Sequence, residues 1–132
     1  MIVVDASAAL VWLLNQPASD RIVARVAREH GQLHAPHLID LEIAQVLRRY
    51  VASSEVSSTR ADQALQDLRA LSMVRYPHDV LLPRIWGLRS SLTAYDAAYV
   101  ALAEALDAPL LTCDGKLARS HGHDAKIELF AS

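Results

Sequence analysis

The chain has 132 residues, 52% of them hydrophobic, with only four Gly and five Pro, which fits one domain able to bury about two thirds of its unfolded surface. Its formal charge is −2, and its one cysteine, Cys113, excludes an internal disulfide and suits a reducing compartment. The longest apolar runs are broken by charges well short of the roughly 20 residues that a membrane span requires, and an apolar strand starting at residue 2 leaves no room for a secretory leader.

Ile2-Val3-Val4 is a β-branched run without alternation, the pattern of a strand buried on both faces in a parallel sheet. Asp5 follows at its carboxyl end, where open α/β sheets bind ligands, and Ser7 is placed to cap the next helix. That helix runs from Ala8 to Asn15 and breaks at Gln16-Pro17. A second helix starts at Ser19 or Asp20 and reaches about Glu29, with Arg21, Arg25 and Arg28 on one face, the pattern of a solvated surface. Gly31 ends it, and Gln32 to Ala35 forms a short strand.

Pro36 is expected to open the next helix, which continues to about Ala52 with Ile39, Ile43, Val46, Leu47, Tyr50 and Val51 at helical spacing. At 100° per residue Glu42 lies about 40° from Val46 and about 60° from Ile39, on the border of that apolar stripe. A glutamate so placed needs a partner, either an arginine or a functional ion. Asp40 sits farther from the stripe and near the helix start, where an acid suits the dipole. Ser57-Ser58-Thr59 with Asp62 signals the start of a helix to about Leu71, Met73 to Tyr76 is a strand, and a helix spans about Val80 to Arg89.

The stretch Leu92 to Leu106 is apolar almost all round, the mark of a helix packed on every side, yet its first turns carry Asp96. Thr93 and Asp96 have capping-box spacing, which explains an acid there but not its surroundings of Ala and Tyr. Pro109 ends the helix, and Leu110-Leu111-Thr112 is a strand that runs into Cys113-Asp114-Gly115-Lys116. Thr112 and Asp114 thus mirror Ser7 and Asp5 as a hydroxyl and an acid two apart at a strand's end. A short helix over Leu117 to Ser120 and a strand over Lys126 to Phe130 complete the chain. His121 and His123 bracket a glycine at a spacing that could hold a metal, without a Cys partner nearby.

Alternating strands and helices imply a doubly wound α/β sandwich with Asp5 and Asp114 on neighbouring strands at the topological switch point. Asp96 and Glu42 can reach the same crevice. Four carboxylates in one crevice raise one another's pKa and call for a cation, and an all-oxygen set selects Mg²⁺ or Mn²⁺. Such a site suits hydrolysis of phosphodiesters. Outside the four acids, 13 basic residues face 11 acidic ones, a balance of +2 that is compatible with a nucleic-acid substrate. Arg48 and Arg49 after Glu42, and Lys116 and Arg119 after Asp114, are the candidates for phosphate contacts.

Asp5-Ala6-Ser7, Glu42 with Val46-Leu47-Arg48-Arg49, Tyr95-Asp96-Ala97-Ala98-Tyr99 and Leu111-Thr112-Cys113-Asp114 together resemble the PIN-domain ribonucleases, and among them the VapC-type toxins of prokaryotic toxin–antitoxin pairs. The likeness spans essentially the whole chain, and its specificity lies in four short pieces in the right order and spacing. It implies a single PIN-like nuclease domain over residues 1–132, a three-layer sandwich with a central, mainly parallel sheet of about five strands flanked by helices. It further implies a cytoplasmic Mg²⁺/Mn²⁺-dependent endoribonuclease, commonly a homodimer, silenced by a cognate antitoxin. By matching positions, Asp5, Glu42, Asp96 and Asp114 are the metal-coordinating acids and Ser7 and Thr112 their supporting hydroxyls. The alternative is a catalytically inactive PIN-like module that binds RNA or a protein partner. A haloacid-dehalogenase-type phosphotransferase needs a second Asp where this chain has Ser7.

Overall fold

The structure is a computed structural model that describes residues 1–131. Five parallel strands form one sheet in the order β3-β2-β1-β4-β5: β1 (Ile2–Val4), β2 (Leu33–Pro36), β3 (Met73–Tyr76), β4 (Leu110–Thr112) and β5 (Ile127–Leu129). Between them run seven α-helices: α1 (Ala6–Leu13), α2 (Ser19–Ala27), α3 (Leu38–Ala52), α4 (Ser58–Ala70), α5 (Leu82–Gly87), α6 (Ala94–Leu106) and α7 (Gly115–Ala118).

The strand order explains where a ligand can sit. From β1 the chain winds outward through β2 to β3, then returns across the sheet to place β4 on the other side of β1. Right-handed crossovers put the helices of the two directions on opposite faces. Accordingly α1 packs with α2, α3 and α4, whereas α6 packs with α5 and against β1, β2 and β4. The winding reverses between β1 and β4, so a crevice opens at their carboxyl ends.

β1 is central because nothing in it tolerates water. Ile2, Val3 and Val4 are 0% exposed, as are Leu110 and Leu111 of β4 beside them. Burial of each such side chain contributes about 1.5–3 kcal/mol. On α6, seven consecutive residues from Ala97 to Ala103 are buried, which accounts for a sequence apolar on every side.

Several local expectations shift. The first helix begins at Ala6 rather than Ala8, because Asp5 and not Ser7 is its cap: the Asp5 carboxylate accepts from the backbone N–H of Ala8 at 2.9 Å. The same device recurs at α7, which starts at Gly115 rather than Leu117, with Asp114 capping through the N–H of Lys116 at 2.9 Å. Pro36 ends β2 instead of opening α3. It can, since pairing of β2 with β1 is registered at Leu33 and His34 only, and the Pro36 end lies beside Tyr76 of β3, where the next donor is the N–H of His37. The first amide of α3, that of Leu38, donates to His78 Nε2 at 3.0 Å from the loop after β3. The helix expected from Val80 to Arg89 is a 3₁₀ turn, Asp79–Leu81, followed by α5. Pro83 lies in the first turn of α5, where its missing N–H is tolerated.

The arginine row of α2 is not a solvated face throughout. Arg25 forks onto Glu128 of β5 at 2.8 and 3.0 Å and reaches Glu29 at 3.2 Å, and Arg21 donates to the carbonyl of Ala131. Only Arg28 among the three points away into solvent without a partner among the described residues. The row ties the last strand to the helical layer.

Candidate active site at the carboxyl edge of the sheet

Asp5 leaves β1 at the switch point and is 6% exposed. Both of its oxygens carry a hydroxyl hydrogen bond, Ser7 Oγ donating to Oδ1 at 2.7 Å and Thr112 Oγ1 to Oδ2 at 2.5 Å. Those hydroxyls are themselves held by the backbone after β4: the N–H of Cys113 donates to Ser7 Oγ at 2.9 Å and that of Asp114 to Thr112 Oγ1 at 3.0 Å. Two amides of the β4–α7 turn therefore orient two hydroxyls, and these orient one carboxylate. The relay locks the carboxylate plane and couples the ends of β1 and β4.

Glu42 projects from α3 and is half-buried. Its partner is neither of the neighbouring arginines, Arg48 and Arg49, but Tyr99 of α6, whose hydroxyl donates to Oε1 at 2.5 Å. Tyr99 is 2% exposed, so its hydroxyl had to find an acceptor inside. It belongs to the site and sequence reasoning did not single it out. The available signal was its position three residues after Asp96, on the same helical face. Asp40, by contrast, is committed to a structural pair, with Arg75 of β3 at 2.8 and 2.9 Å.

Asp96 lies in the first turn of α6, whose cap is Thr93: Thr93 Oγ1 accepts from the N–H of Asp96 at 3.2 Å. Its carboxyl is half-buried and close enough to the others to feel them. Burial, and then the charge of Asp114, raise the pKa of Asp96, with Lys116 acting in the opposite sense. Burial raises that of Glu42 against the hydrogen bond from Tyr99, and the charges of Asp96 and Asp5 raise it further. Asp5 is likewise raised, chiefly by burial, despite the hydrogen bonds from Thr112, Ala8 and Ser7, and the charge of Asp96 adds to the rise. The Tyr99 hydroxyl is pushed up by burial and by Glu42. Burial and the charge of Asp5 push the Cys113 thiol up to about 11, so it stays a thiol at neutral pH.

These couplings show that Asp5, Glu42, Asp96 and Asp114 share one region of negative potential. Among the described residues they do not form a ready-made cage of three or more close ligands. The donor set nevertheless fits a hard divalent cation: every group is a carboxylate, the shared charge disfavours full ionisation without a counter-ion, and oxygens remain open. Glu42 Oε2 has no hydrogen-bond partner among the described residues, and Asp5 Oδ2 accepts only from Thr112. Of the histidine pair, His123 is used otherwise: its Nε2 meets Ser120 Oγ at 2.9 Å and its Nδ1 accepts from the N–H of Ala125 at 3.2 Å.

Two grooves leave this acidic crevice. One, of about 700 Å³, runs between α1 and α3 past Ser7 and Glu42, with apolar walls including Leu10, Leu38, Leu41 and Val46 and with Arg49 at its rim. The other, of about 620 Å³, starts at Asp96 and passes Lys116 and Arg119. Of the four candidate phosphate contacts, Arg49 lies on the first groove and Lys116 and Arg119 on the second, while Arg48 lines neither.

A PIN-domain family model matches residues 2–121. The chain is 48% identical over 117 residues to ribonuclease VapC9 of Mycobacterium tuberculosis, covering 89% of this chain and 88% of that protein. It is 42% identical over 131 residues to ribonuclease VapC12 of the same organism, covering 99% and 100%. Among solved structures, PAE2754 from Pyrobaculum aerophilum superposes with a TM-score of 0.69 at 23% identity over 96% of this chain and 81% of that one. VapBC2 from Rickettsia felis, bound to a DNA fragment from the promoter, gives a TM-score of 0.69 at 14% identity over 98% and 99%. At those identities the two structures speak to the fold alone.

Proposed function

The chain belongs to the PIN-domain family, and on that premise we propose that it is the endoribonuclease toxin of a toxin–antitoxin pair, acting as one nuclease domain with Asp5, Glu42, Asp96 and Asp114 as its catalytic acids. The observation that carries the reading is the shared potential of the four acids at the β1/β4 switch point, with Asp5 held by a relay of hydroxyls and amides. Burial raises the pKa of Asp5, Glu42 and Asp96, and the charge of a neighbouring acid adds to each.

The cofactor is Mg²⁺ or Mn²⁺, held by those four carboxylates. When bound, such an ion lowers the pKa of water and offsets charge on the phosphate and leaving oxygen. The protein's own part is positional. Ser7 and Thr112 fix the direction of the Asp5 carboxylate, and Tyr99 fixes that of Glu42 while favouring its charged form. The hydroxyls thus keep two ligands pre-oriented, so little reorganisation is needed when substrate arrives. Arg49, Lys116 and Arg119, which line the two grooves, supply phosphate contacts that hold the RNA, and Arg48 lies outside both grooves.

A cognate antitoxin is the partner, and the apolar groove along Ser7 and Glu42 offers a place where a bound segment would cover the acids. The chain works as a homodimer in the cytoplasm; among the described residues no helix is long and apolar enough to cross a membrane. The test is direct: purified protein incubated with RNA should cleave it with Mn²⁺ or Mg²⁺ and stop when EDTA is added. Cleavage unaffected by EDTA, or none with either ion, would defeat the proposal.

A further inference from the structure

The relay that holds Asp5 has a further member, supplied from beyond the last strand. Thr112, whose hydroxyl donates to Asp5, is 0% exposed and is the final residue of β4. On the β1 side its strand is fastened by the N–H of Asp5, which donates to the carbonyl of Leu111 at 3.1 Å. On the other side the fastening is the N–H of Phe130, which donates to the carbonyl of Thr112 at 2.8 Å. Phe130 directly follows β5, so this bond is the last rung between β4 and the edge of the sheet, and it falls on the very residue that orients Asp5. Phe130 lies outside the residues 2–121 that carry the family likeness.

What keeps Phe130 in place is α2. Glu128 and Phe130 lie two apart along the strand and its continuation, and Arg25 and Arg21 lie four apart along the helix, so each pair shares a face. Arg25 grips Glu128, while the guanidinium of Arg21 stands 6.0 Å from the centroid of the Phe130 ring and donates to the carbonyl of Ala131. The ring is partly buried against the core and lines the groove beside Ser7 and Cys113. The charge of Arg21 also acts on the Cys113 thiol, so the clamp reaches the turn that orients Ser7 and Thr112. An edge strand without such a clamp frays at its last rung, because residues near a terminus stay ordered only where they are tied down. Here fraying would free the backbone of Thr112 on one side and, with it, the direction of the hydroxyl that holds Asp5.

Resting on the nuclease reading, we propose that Phe130 is a positioning residue of the active site: its backbone N–H holds Thr112 so that the Thr112 hydroxyl holds Asp5, and its ring, clamped by Arg21, keeps that N–H on the sheet. Phe130 acts through Thr112 and does no chemistry of its own.

Phe130→Pro removes the N–H, and Leu129→Pro is its control, because successive N–H groups of a strand point to opposite sides and that of Leu129 faces the open edge, where proline is tolerated. In the metal-free protein, amide hydrogen exchange followed by NMR should show the N–H groups of Cys113 and Asp114 exchanging at least about tenfold faster in Phe130→Pro than in Leu129→Pro, with that of Val3 unchanged. With Mn²⁺ and RNA, kcat of Phe130→Pro should fall about ten- to a hundredfold while KM for RNA stays within about twofold. Phe130→Leu, which restores the N–H and an apolar side chain, should recover most of that loss. A double-mutant cycle with Thr112→Val tests the route: once the hydroxyl is gone, Phe130→Pro should cost little more, and full additivity overturns the proposal. Should Phe130→Pro fold poorly, Arg21→Gln with Phe130→Ala keeps every N–H but loosens the tail, and it should give the same split between kcat and KM. Unchanged exchange and unchanged kcat in a folded Phe130→Pro protein overturn the positioning role and leave the nuclease reading standing. A wild-type protein that cleaves no RNA, with the exchange differences as expected, defeats the nuclease reading and upholds the link from Phe130 to Thr112.

Discussion

Tyr99 of α6 donates its hydroxyl hydrogen to Glu42 Oε1 of α3 at 2.5 Å, joining two helices that the sheet separates. The bond favours the carboxylate form of Glu42 against burial and against the charges of Asp96 and Asp5. In Tyr99→Phe that opposing influence is lost, so the pKa of Glu42 rises further and the acidic limb of the pH–rate profile moves to higher pH. Loss of the buried hydrogen bond should also lower stability by about 1 kcal/mol. A pH–rate profile with Mn²⁺ and a urea melt check the two effects, and an unmoved acidic limb would remove Tyr99 from the site.

Asp5→Asn should abolish RNA cleavage and keep the fold. An amide preserves the shape that Ser7, Thr112 and the N–H of Ala8 surround, and both hydroxyls can rotate to donate to its oxygen or accept from its nitrogen. Circular dichroism of the variant should match wild type, and metal-dependent cleavage by a folded Asp5→Asn protein would exclude Asp5 as a catalytic acid.

The metal-free protein should gain from neutralising an acid. The pKa of Asp96 is raised in the folded state, so above its ordinary value the folded form binds more protons than the unfolded one and stability falls as pH rises through that window. At neutral pH, Asp96→Asn should therefore melt at or above the wild-type temperature in EDTA. Added Mn²⁺ should raise the wild-type melt, by about 2.7 kcal/mol at a hundred times its Kd, and raise the variant much less. A large loss of stability in EDTA would instead mark the Asp96 carboxylate as a structural cap.

His34 is 4% exposed, with Nδ1 against Tyr76 Oη at 2.7 Å and Nε2 buried without a partner among the described residues. Burial lowers its pKa. As pH falls through about 6.5 the unfolded chain takes up a proton that the folded one resists, so this residue makes stability fall on acidification. The raised carboxylates act in the opposite sense, which is why the difference from His34→Gln is the useful measurement. Wild type should lose more stability than the variant between pH 7.5 and 5.5 in urea unfolding, and parallel losses would contradict the assignment.

The Arg25–Glu128 fork ties α2 to β5 and is less exposed on the arginine side, at 14%, than on the glutamate side, at 38%. Half-open geometry and solvent screening hold its worth to about 1–2 kcal/mol. Arg25→Ala should cost that much in urea unfolding, whereas Arg28→Ala, at the cap just past the end of the same helix, should cost less than about 0.5 kcal/mol. Equal effects would mean that the fork contributes nothing beyond surface charge.

The order of strands and helices was legible in the amino-acid sequence because it rests on local physics: β-branched runs at Ile2–Val4 and Leu110–Thr112, helical periodicity in α3, an all-apolar α6. So was the placing of Asp5 and Asp114 just past two strand ends, since a run of apolar residues announces its own end. Even the misplaced starts of α1 and α7 moved by only two residues, because Asp5 rather than Ser7 caps the first and Asp114 caps the second. What only the tertiary structure decided is which partner each polar group takes. Glu42 chose Tyr99 across 57 residues and not an arginine about two turns along its own helix, Asp40 chose Arg75 across 35, Arg25 chose Glu128 across 103, and Thr112 reached Asp5 across 107. Such choices follow from burial: a polar group removed from water must bond to whatever the packing of other elements brings within about 3 Å, and no local pattern encodes that neighbour.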